Sequence, residues 1–197
     1  MIYAALALAL LLARLALLGA AHVVPSPYDP VRHAVSDYAI GPTRPLTTAM
    51  SLVTAVAWWA LAAAAWQLLP AWSYMRPAVV MLVALGVLSV LVVAAPTDLE
   101  GERRTPRGLL HYGVAIASFA LAYSLTGDVT RLAEHLGWGP LAAALTVLHW
   151  IALVSLVLVC AGLAIPRVRA VFGLVERVFL VAIAVFYAVF AAGLLLT

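Results

Sequence analysis

Lysine is absent from this chain of 197 residues, cysteine occurs once, and only 10% of the residues are charged. A soluble domain carries about 25% charged residues, so that class is excluded. The single cysteine, Cys160, lies inside an apolar run, which rules out a disulfide framework and leaves a small core or lipid-facing residue. With no lysine, the formal net charge of +3 comes entirely from arginine. No soluble basic patch is available to hold a duplex, so the basic balance fits anionic lipid at a membrane face and no nucleic-acid partner. Also missing are a Cys-x-x-Cys pair, a His-Glu-x-x-His helix, a phosphate-cradling glycine loop and a Gly-x-Ser-x-Gly elbow. Haem is not expected either, because His111 falls near one membrane face and His149 near the middle of a span.

What is present is hydrocarbon. Hydrophobic residues make up 66% of the chain, and mean hydropathy is +1.13. In a bilayer every backbone group must be bonded within its own helix, so an all-α polytopic membrane bundle is expected. Six transmembrane helices are read at approximately 2–22, 46–69, 78–95, 109–126, 141–163 and 174–196, forming one membrane domain over 1–197. Each is close to the ~20 residues that a hydrocarbon core requires. The first run lacks the basic n-region of a signal peptide and is longer than an h-region, so it is taken as a span. The link GDVTRLAEHLGWGP is expected to contain one short interfacial helix.

Arginine sets the expected orientation. Arg32, Arg44, Arg103, Arg104, Arg107, Arg167 and Arg169 lie in the 1–2, 3–4 and 5–6 links, against Arg76 and Arg131 in the other two. The positive-inside rule then places the three arginine-rich links in the cytoplasm and both termini outside the cell membrane.

The longest polar interval, Pro25 to Pro45, reads PSPYDPVRHAVSDYAIGPTRP. Asp29, His33 and Asp37 recur at four-residue steps, and Asp29, Pro30 and Gly41 suit an N-cap, a first turn and a C-terminus. The interval is therefore expected to form one capped surface helix of roughly three turns, with those three side chains on one face. The second polar interval, PTDLEGERRTPRG, comes to the same end, where Glu176, Arg177 and His111 join it. A cluster of Asp29, Arg32, His33, Ser36, Asp37, Asp98, His111, Glu176 and Arg177 follows.

DPVRHAVSDYAIGP, APTDLEGERRTPRGLLHYGVA and FGLVERVFL together resemble the bacterial and archaeal membrane family called domain of unknown function 998. The matching positions are Ser36, Asp37, Tyr38 and Gly41; Pro96, Thr97 and Asp98; His111; and Gly173, Glu176 and Arg177. The resemblance covers nearly the whole chain and implies a fold and a shared site, without an established activity.

For Asp37, Asp98 and His111 two readings stand side by side. Polar groups at the edge of lipid are costly and mark a site, or they cap helices and tie loops. Asp98 follows the third span, a negative helix end, which favours pairing with Arg or His over capping. Glu176 and Arg177 read as an ion pair with a neighbouring loop. Arg103, Arg104 and Arg107 read as the topology signal, with a phosphate site as the sharper alternative. Arg14 and His149 fall half-way across their spans, where an ionisable group implies a functional partner, or else the arginine snorkels and the histidine bonds a facing carbonyl or hydroxyl. Trp58, Trp59 and Trp150 read as packing.

The leading functional expectation is a binder or transporter whose polar cavity holds a lipid or small anionic ligand, using Arg32, Ser36, Asp37, Asp98, His111, Glu176 and Arg177. A second reading is an accessory subunit of a larger membrane complex. A third is an intramembrane lipid hydrolase similar to the alkaline ceramidases. No cofactor is expected under the first two. Zinc enters only in the third, with His33, Asp37, Asp98 and His111 as candidate ligands. That reading lacks the paired histidines of the last span, since Leu174 to Thr197 contains none.

Overall fold

The computed structural model describes residues 1–95, 97–98 and 105–197. Within them the helices are α1 (Ile2–Val23), α2 (Arg44–Leu68), α3 (Met75–Ala94), α4 (Pro106–Ser124), α5 (Thr126–His135), α6 (Pro140–Ala164), α7 (Pro166–Arg169) and α8 (Phe172–Leu194). Six helical stretches are long and apolar enough to cross a membrane, α4 being continued by α5. Five match the expected spans to within about five residues, and the fourth, expected at 109–126, matches α4 and runs on through α5 to His135. The short α5 fills the link in which one such helix is expected.

Proline opens several of these helices for a plain reason. The first-turn N–H groups have no intrahelical acceptor, so Pro45, Pro106 and Pro140 give up nothing there. The buried positions of α1 are Ala4, Ala7, Leu11, Arg14, Leu18 and Ala21, an alternation of three- and four-residue steps that makes one narrow seam. That seam lies between α2 and α8. Alanines fill much of the buried face of α2, among them Ala57, Ala60, Ala62 and Ala64, letting backbones approach where no hydrophobic effect drives helices together. The most interior helices are α2 and α8. Around them α3 packs on α2 and on α4, and α6 packs on α8, but α4 and α6 meet only sparsely.

The interval from Pro25 to Pro45 departs from the single helix expected of it. It forms one turn at 29–33, a 3₁₀ helix at Val35–Ala39, and a second at Gly41–Thr43 that runs into α2. A continuous helix needs the Val35 N–H on the Val31 carbonyl. Both groups are used elsewhere: the Val31 carbonyl accepts from the Leu174 N–H at 3.0 Å, and the Val35 N–H donates to Glu176 Oε2 at 2.6 Å. Tertiary bonds to α8 thus replace the local one. Asp29, His33 and Asp37 consequently do not share a face: Asp37 is buried and Asp29 is exposed.

Two contacts tie α4 to the interior helix α8. The rings of Phe119 and Phe179 lie 4.7 Å apart, and the buried Tyr187 hydroxyl donates to the Ala122 carbonyl at 2.7 Å. That carbonyl belongs to the last turn of α4, where intrahelical donors run out. Replacing Tyr187 with Phe should therefore destabilise the protein by about 1–2 kcal/mol, because a buried carbonyl loses its donor. Thermal unfolding of the purified variant in detergent measures it, and an unchanged midpoint would show that this bond does not hold α4.

Candidate functional site

The three links expected to be rich in arginine converge at one end of the bundle. There the α1–α2 link is bonded to the start of α8. The Gly173 and Leu174 N–H groups, orphans of the first helical turn, donate to the Arg32 and Val31 carbonyls at 3.3 and 3.0 Å. Gly173 is required at this crossing, since a Cβ would overlap the His33 carbonyl. Glu176 takes the Val35 N–H. Arg177 donates from Nη1 to the His33 carbonyl at 2.7 Å and to the Gly173 carbonyl at 2.8 Å, and from Nε to His22 Nε2 at 2.7 Å. Its guanidinium also stands 5.1 Å from the centre of the Tyr38 ring, a cation–π distance. Glu176 and Arg177 thus hold the loop through its backbone and not through an ion pair.

Asp37 and Asp98 are both helix caps in part. Asp37 Oδ2 accepts the Ala34 N–H at 3.0 Å, closing the 3₁₀ helix on its own start. Asp98 accepts the Thr105 N–H and hydroxyl, each at 2.7 Å, and Thr105 in turn accepts the Gly108 N–H at 3.1 Å. The expectation that Asp98 is ill placed for capping considered only the end of α3. The structure turns it toward the positive N-terminus of α4 instead. Gly108 leaves the room this needs, because a Cβ there would overlap the Asp98 carboxylate.

His111 is buried one turn into α4, and its Nδ1 donates to the Ala95 carbonyl at 2.8 Å. A carbonyl only accepts, so Nδ1 carries a proton in this bond. His111 lines two adjoining cavities. The inner, of about 190 Å³, lies among α1, α2, α3, α4 and α8 and includes Arg14, Ser51, Thr54, Trp58, Ser89 and Ser118. The outer, of about 500 Å³, occupies the sparsely packed gap between α4 and α6. Asp37, Thr97, Asp98 and Arg169 stand on its polar side, and Ile116, Val159, Leu163 and Phe172 on its apolar one. Ser36, His111, Ala115, Phe119 and Glu176 belong to both walls.

Of the expected site residues, Ser36, Asp37, Asp98, His111 and Glu176 therefore come together. Arg32 and Arg177 do not. Arg32 is exposed and lends only its backbone carbonyl, and Arg177 lies behind the loop as its clamp. His33 is outside both cavities, with Nδ1 accepting the Asp29 N–H at 3.0 Å. The candidate zinc set of His33, Asp37, Asp98 and His111 is thus not gathered, and among the described residues no three of His, Cys, Asp and Glu are grouped to hold a metal ion. Arg103, Arg104 and Pro96 lie outside the described residues, while Arg107 is exposed.

His149 bonds a facing hydroxyl, the structural one of the two readings of its place in a span. The Thr126 hydroxyl donates to the Tyr123 carbonyl at 2.6 Å and accepts from His149 Nδ1 at 2.7 Å, pinning α6 to the α4–α5 corner. Trp58 is buried against Tyr187, with ring centres 4.6 Å apart, whereas Trp59 and Trp150 are exposed on the outer surface. Two features of the cavities were not singled out from sequence. Arg169, assigned only to the basic turn, donates to the Leu163 carbonyl at 3.1 Å at the edge of the outer cavity. The hydroxyls of Thr47, Ser51 and Thr54 line the inner one. Their four- and three-residue steps on an apolar helix were the available signal.

Fold and site together define a polytopic helical bundle with a polar chamber at one end, a multi-pass membrane protein by the length and composition of its helices. The chain belongs to the family described as protein of unknown function (DUF998), whose model matches residues 3–193. No curated protein and no solved structure matches it.

The Thr105 backbone N–H, then its hydroxyl, holds the Asp98 carboxyl below the usual carboxylate range, with a smaller contribution from His111. A depressed carboxyl contributes stability that is present above its unfolded pKa of about 4 and lost as pH falls through the folded value. Asp98→Asn should accordingly lower the melting temperature at neutral pH and flatten its fall below about pH 4. A pH series of thermal melts on both proteins checks this, and parallel curves for the two would contradict it.

Proposed function

We propose that this protein is a multi-pass protein of the cell membrane that holds one lipid-like amphiphile in the outer cavity. A single observation carries the reading: a chamber of about 500 Å³ is left between two neighbouring spans, polar at the end of the bundle and apolar along the helices. That size lies within the ~300–1,000 Å³ of small-molecule sites. The polar groups suit a headgroup and the apolar wall a chain. Asp37, Asp98 and Glu176 face the cavity with Arg169 as the arginine beside them. Among the described residues this balance favours a headgroup rich in donors, such as hydroxyl, amine or amide, over an anionic one. Of the arginines expected to serve an anionic headgroup, Arg32, Arg103, Arg104 and Arg177, the two among the described residues, Arg32 and Arg177, lie outside the cavity.

Native mass spectrometry of protein purified in neutral detergent is the test. One retained lipid per chain is expected, and Val159→Trp, which fills the cavity from α6, should reduce occupancy at least about ten-fold, equivalent to ~1.4 kcal/mol. A lipid-free wild type, or undiminished occupancy in the variant, would overturn the reading.

The arginine-rich end is proposed to face the cytoplasm, with both termini outside, on the arginine distribution among the links. Single cysteines at Pro70 and Arg167 in a Cys160→Ala background distinguish the two orientations. A membrane-impermeant maleimide should label position 70 in intact cells and position 167 only after lysis. The reverse pattern would invert the topology.

A further inference from the structure

The inner cavity adjoins the outer one, and its most unusual wall is Arg14. Nine residues separate Arg14 from the end of α1 at Val23, which places it ~13 Å below that end at ~1.5 Å per residue. Its side chain is 8% exposed and faces the cavity. Among the described residues its one hydrogen bond runs from Nη1 to the Leu180 carbonyl at 3.2 Å. Leu180 is eight residues into α8, so the guanidinium lies at depth and does not reach back to the headgroup region. No carboxylate among the described residues forms an ion pair with it. A charge held there with a single neutral acceptor is a costly arrangement, and a guanidinium presents its remaining donors in a planar fork that matches a carboxylate.

The other groups of the cavity sharpen the ligand. Thr54, Ser89 and Ser118 donate their hydroxyl protons to the carbonyls of Met50, Leu85 and Val114 on their own helices, at 2.6, 2.8 and 2.7 Å. They therefore offer acceptors to the cavity, suited to water or to a donor on a ligand. Trp58 is also buried and lines the chamber. Among the described residues its indole N–H has no hydrogen-bond acceptor, so it is a further donor of the chamber, and the exposed Arg44, at the start of α2, lines the same chamber. Leu85, Phe119, Leu180 and Ile183 supply apolar walls. A strongly hydrated inorganic anion would lose its water against such walls, whereas an organic anion brings its own apolar body. A chamber of about 190 Å³ holds several times the ~30 Å³ of a liquid water, enough for a small organic group. Glu176 also lines the chamber, but its Oε2 is turned to the Val35 N–H, one helical turn (~6 Å) nearer the end of the bundle than Leu180.

We infer that the inner cavity is a binding site for an organic monoanion, a carboxylate on a short apolar body, anchored by Arg14 deep in the membrane. Arg14 is not among the residues that the inner cavity shares with the outer one.

Calorimetric titration of the full chain in neutral detergent, with hexanoate, hexanol and inorganic phosphate as probes, tests this. Hexanoate should bind saturably at one per chain, with hexanol and phosphate each at least ten-fold weaker. Arg14→Gln should weaken hexanoate at least ten-fold, and Arg14→Lys should lose less. Glu176→Gln should bind hexanoate at least as well as wild type, and Val159→Trp should leave it unchanged, which separates this site from the one proposed between α4 and α6. Equal binding of hexanol and hexanoate, undiminished binding in Arg14→Gln, or no binding to wild type would overturn the inference. So would hexanoate binding that emerges only in Glu176→Gln, because Glu176 would then be the counter-charge of Arg14. Should the Arg14 variants fail to fold, the wild-type ranking of the three probes decides.

Discussion

The exchange of backbone hydrogen bonds between residues 31–35 and the first turns of α8 is the interaction on which the polar end of the bundle depends. A helix that begins at a membrane edge leaves its leading N–H groups without partners, and lipid cannot supply them. Here the Val31 and Arg32 carbonyls supply two. The cost is that the same carbonyls are withdrawn from the loop's own helix, so the loop stays irregular and its Val35 N–H must find Glu176. Once fixed this way, the loop sets Ser36 and Asp37 over the mouth of the outer cavity. It also roofs the inner one with Val35 and Ala39.

Neighbouring residues on α8 divide the labour because successive side chains on a helix diverge by about 100°. Glu176 turns toward the cavities and bonds the loop from within. Arg177 turns outward and closes on the loop from behind, through His33, His22 and Tyr38. Gly173, one turn earlier, is where the loop carbonyl passes closest to the helix. Spacing of Gly, Glu and Arg at the head of this span is thereby explained by docking. Asp98 and Gly108 make a comparable pair at the head of α4, with the carboxylate capping the helix in the space that the missing Cβ leaves.

Much of the fold was legible in the sequence because bilayer thickness and hydropathy act locally along the chain: an apolar run of the right length becomes a span wherever it packs. The site was legible only as a list of candidates. Asp29, His33 and Asp37 repeat at helical spacing, yet a bond from a residue 141 positions away decides the conformation of that stretch. In the sequence Asp98 stands at the end of one helix, yet its carboxylate bonds Thr105 at the start of the next. Arg177 and Glu176 looked alike as edge charges, and only the direction of each side chain separates a clamp from a cavity wall. His149 and Arg14 looked alike as intramembrane ionisable groups. The difference between them is whether hydroxyls on a neighbouring element happen to meet the ring, as Thr126 meets His149.

Partner number then distinguishes the groups that build the chamber from those free to act in it. Arg177 has two carbonyls, an imidazole nitrogen and an aromatic face, leaving only its Nη2 without an acceptor among the described residues. Asp98 has a backbone and a side-chain donor. Removing either would leave the loop or the helix start without its counterpart, which is a structural loss. Among the described residues His111 has one ring nitrogen bonded to Ala95 and a second with no hydrogen bond, and Arg14 has one carbonyl for its fork of donors. These two line the same inner wall, one near the end of the bundle and one at depth, with hydroxyls from α2, α3 and α4 between the helices. A packed bundle with no ligand to hold would satisfy such groups internally or replace them with hydrocarbon, since half-satisfied buried polar groups are worse than an apolar core. The sparse partnering of Arg14 among the described residues is therefore the observation on which the binding proposed at the inner cavity rests.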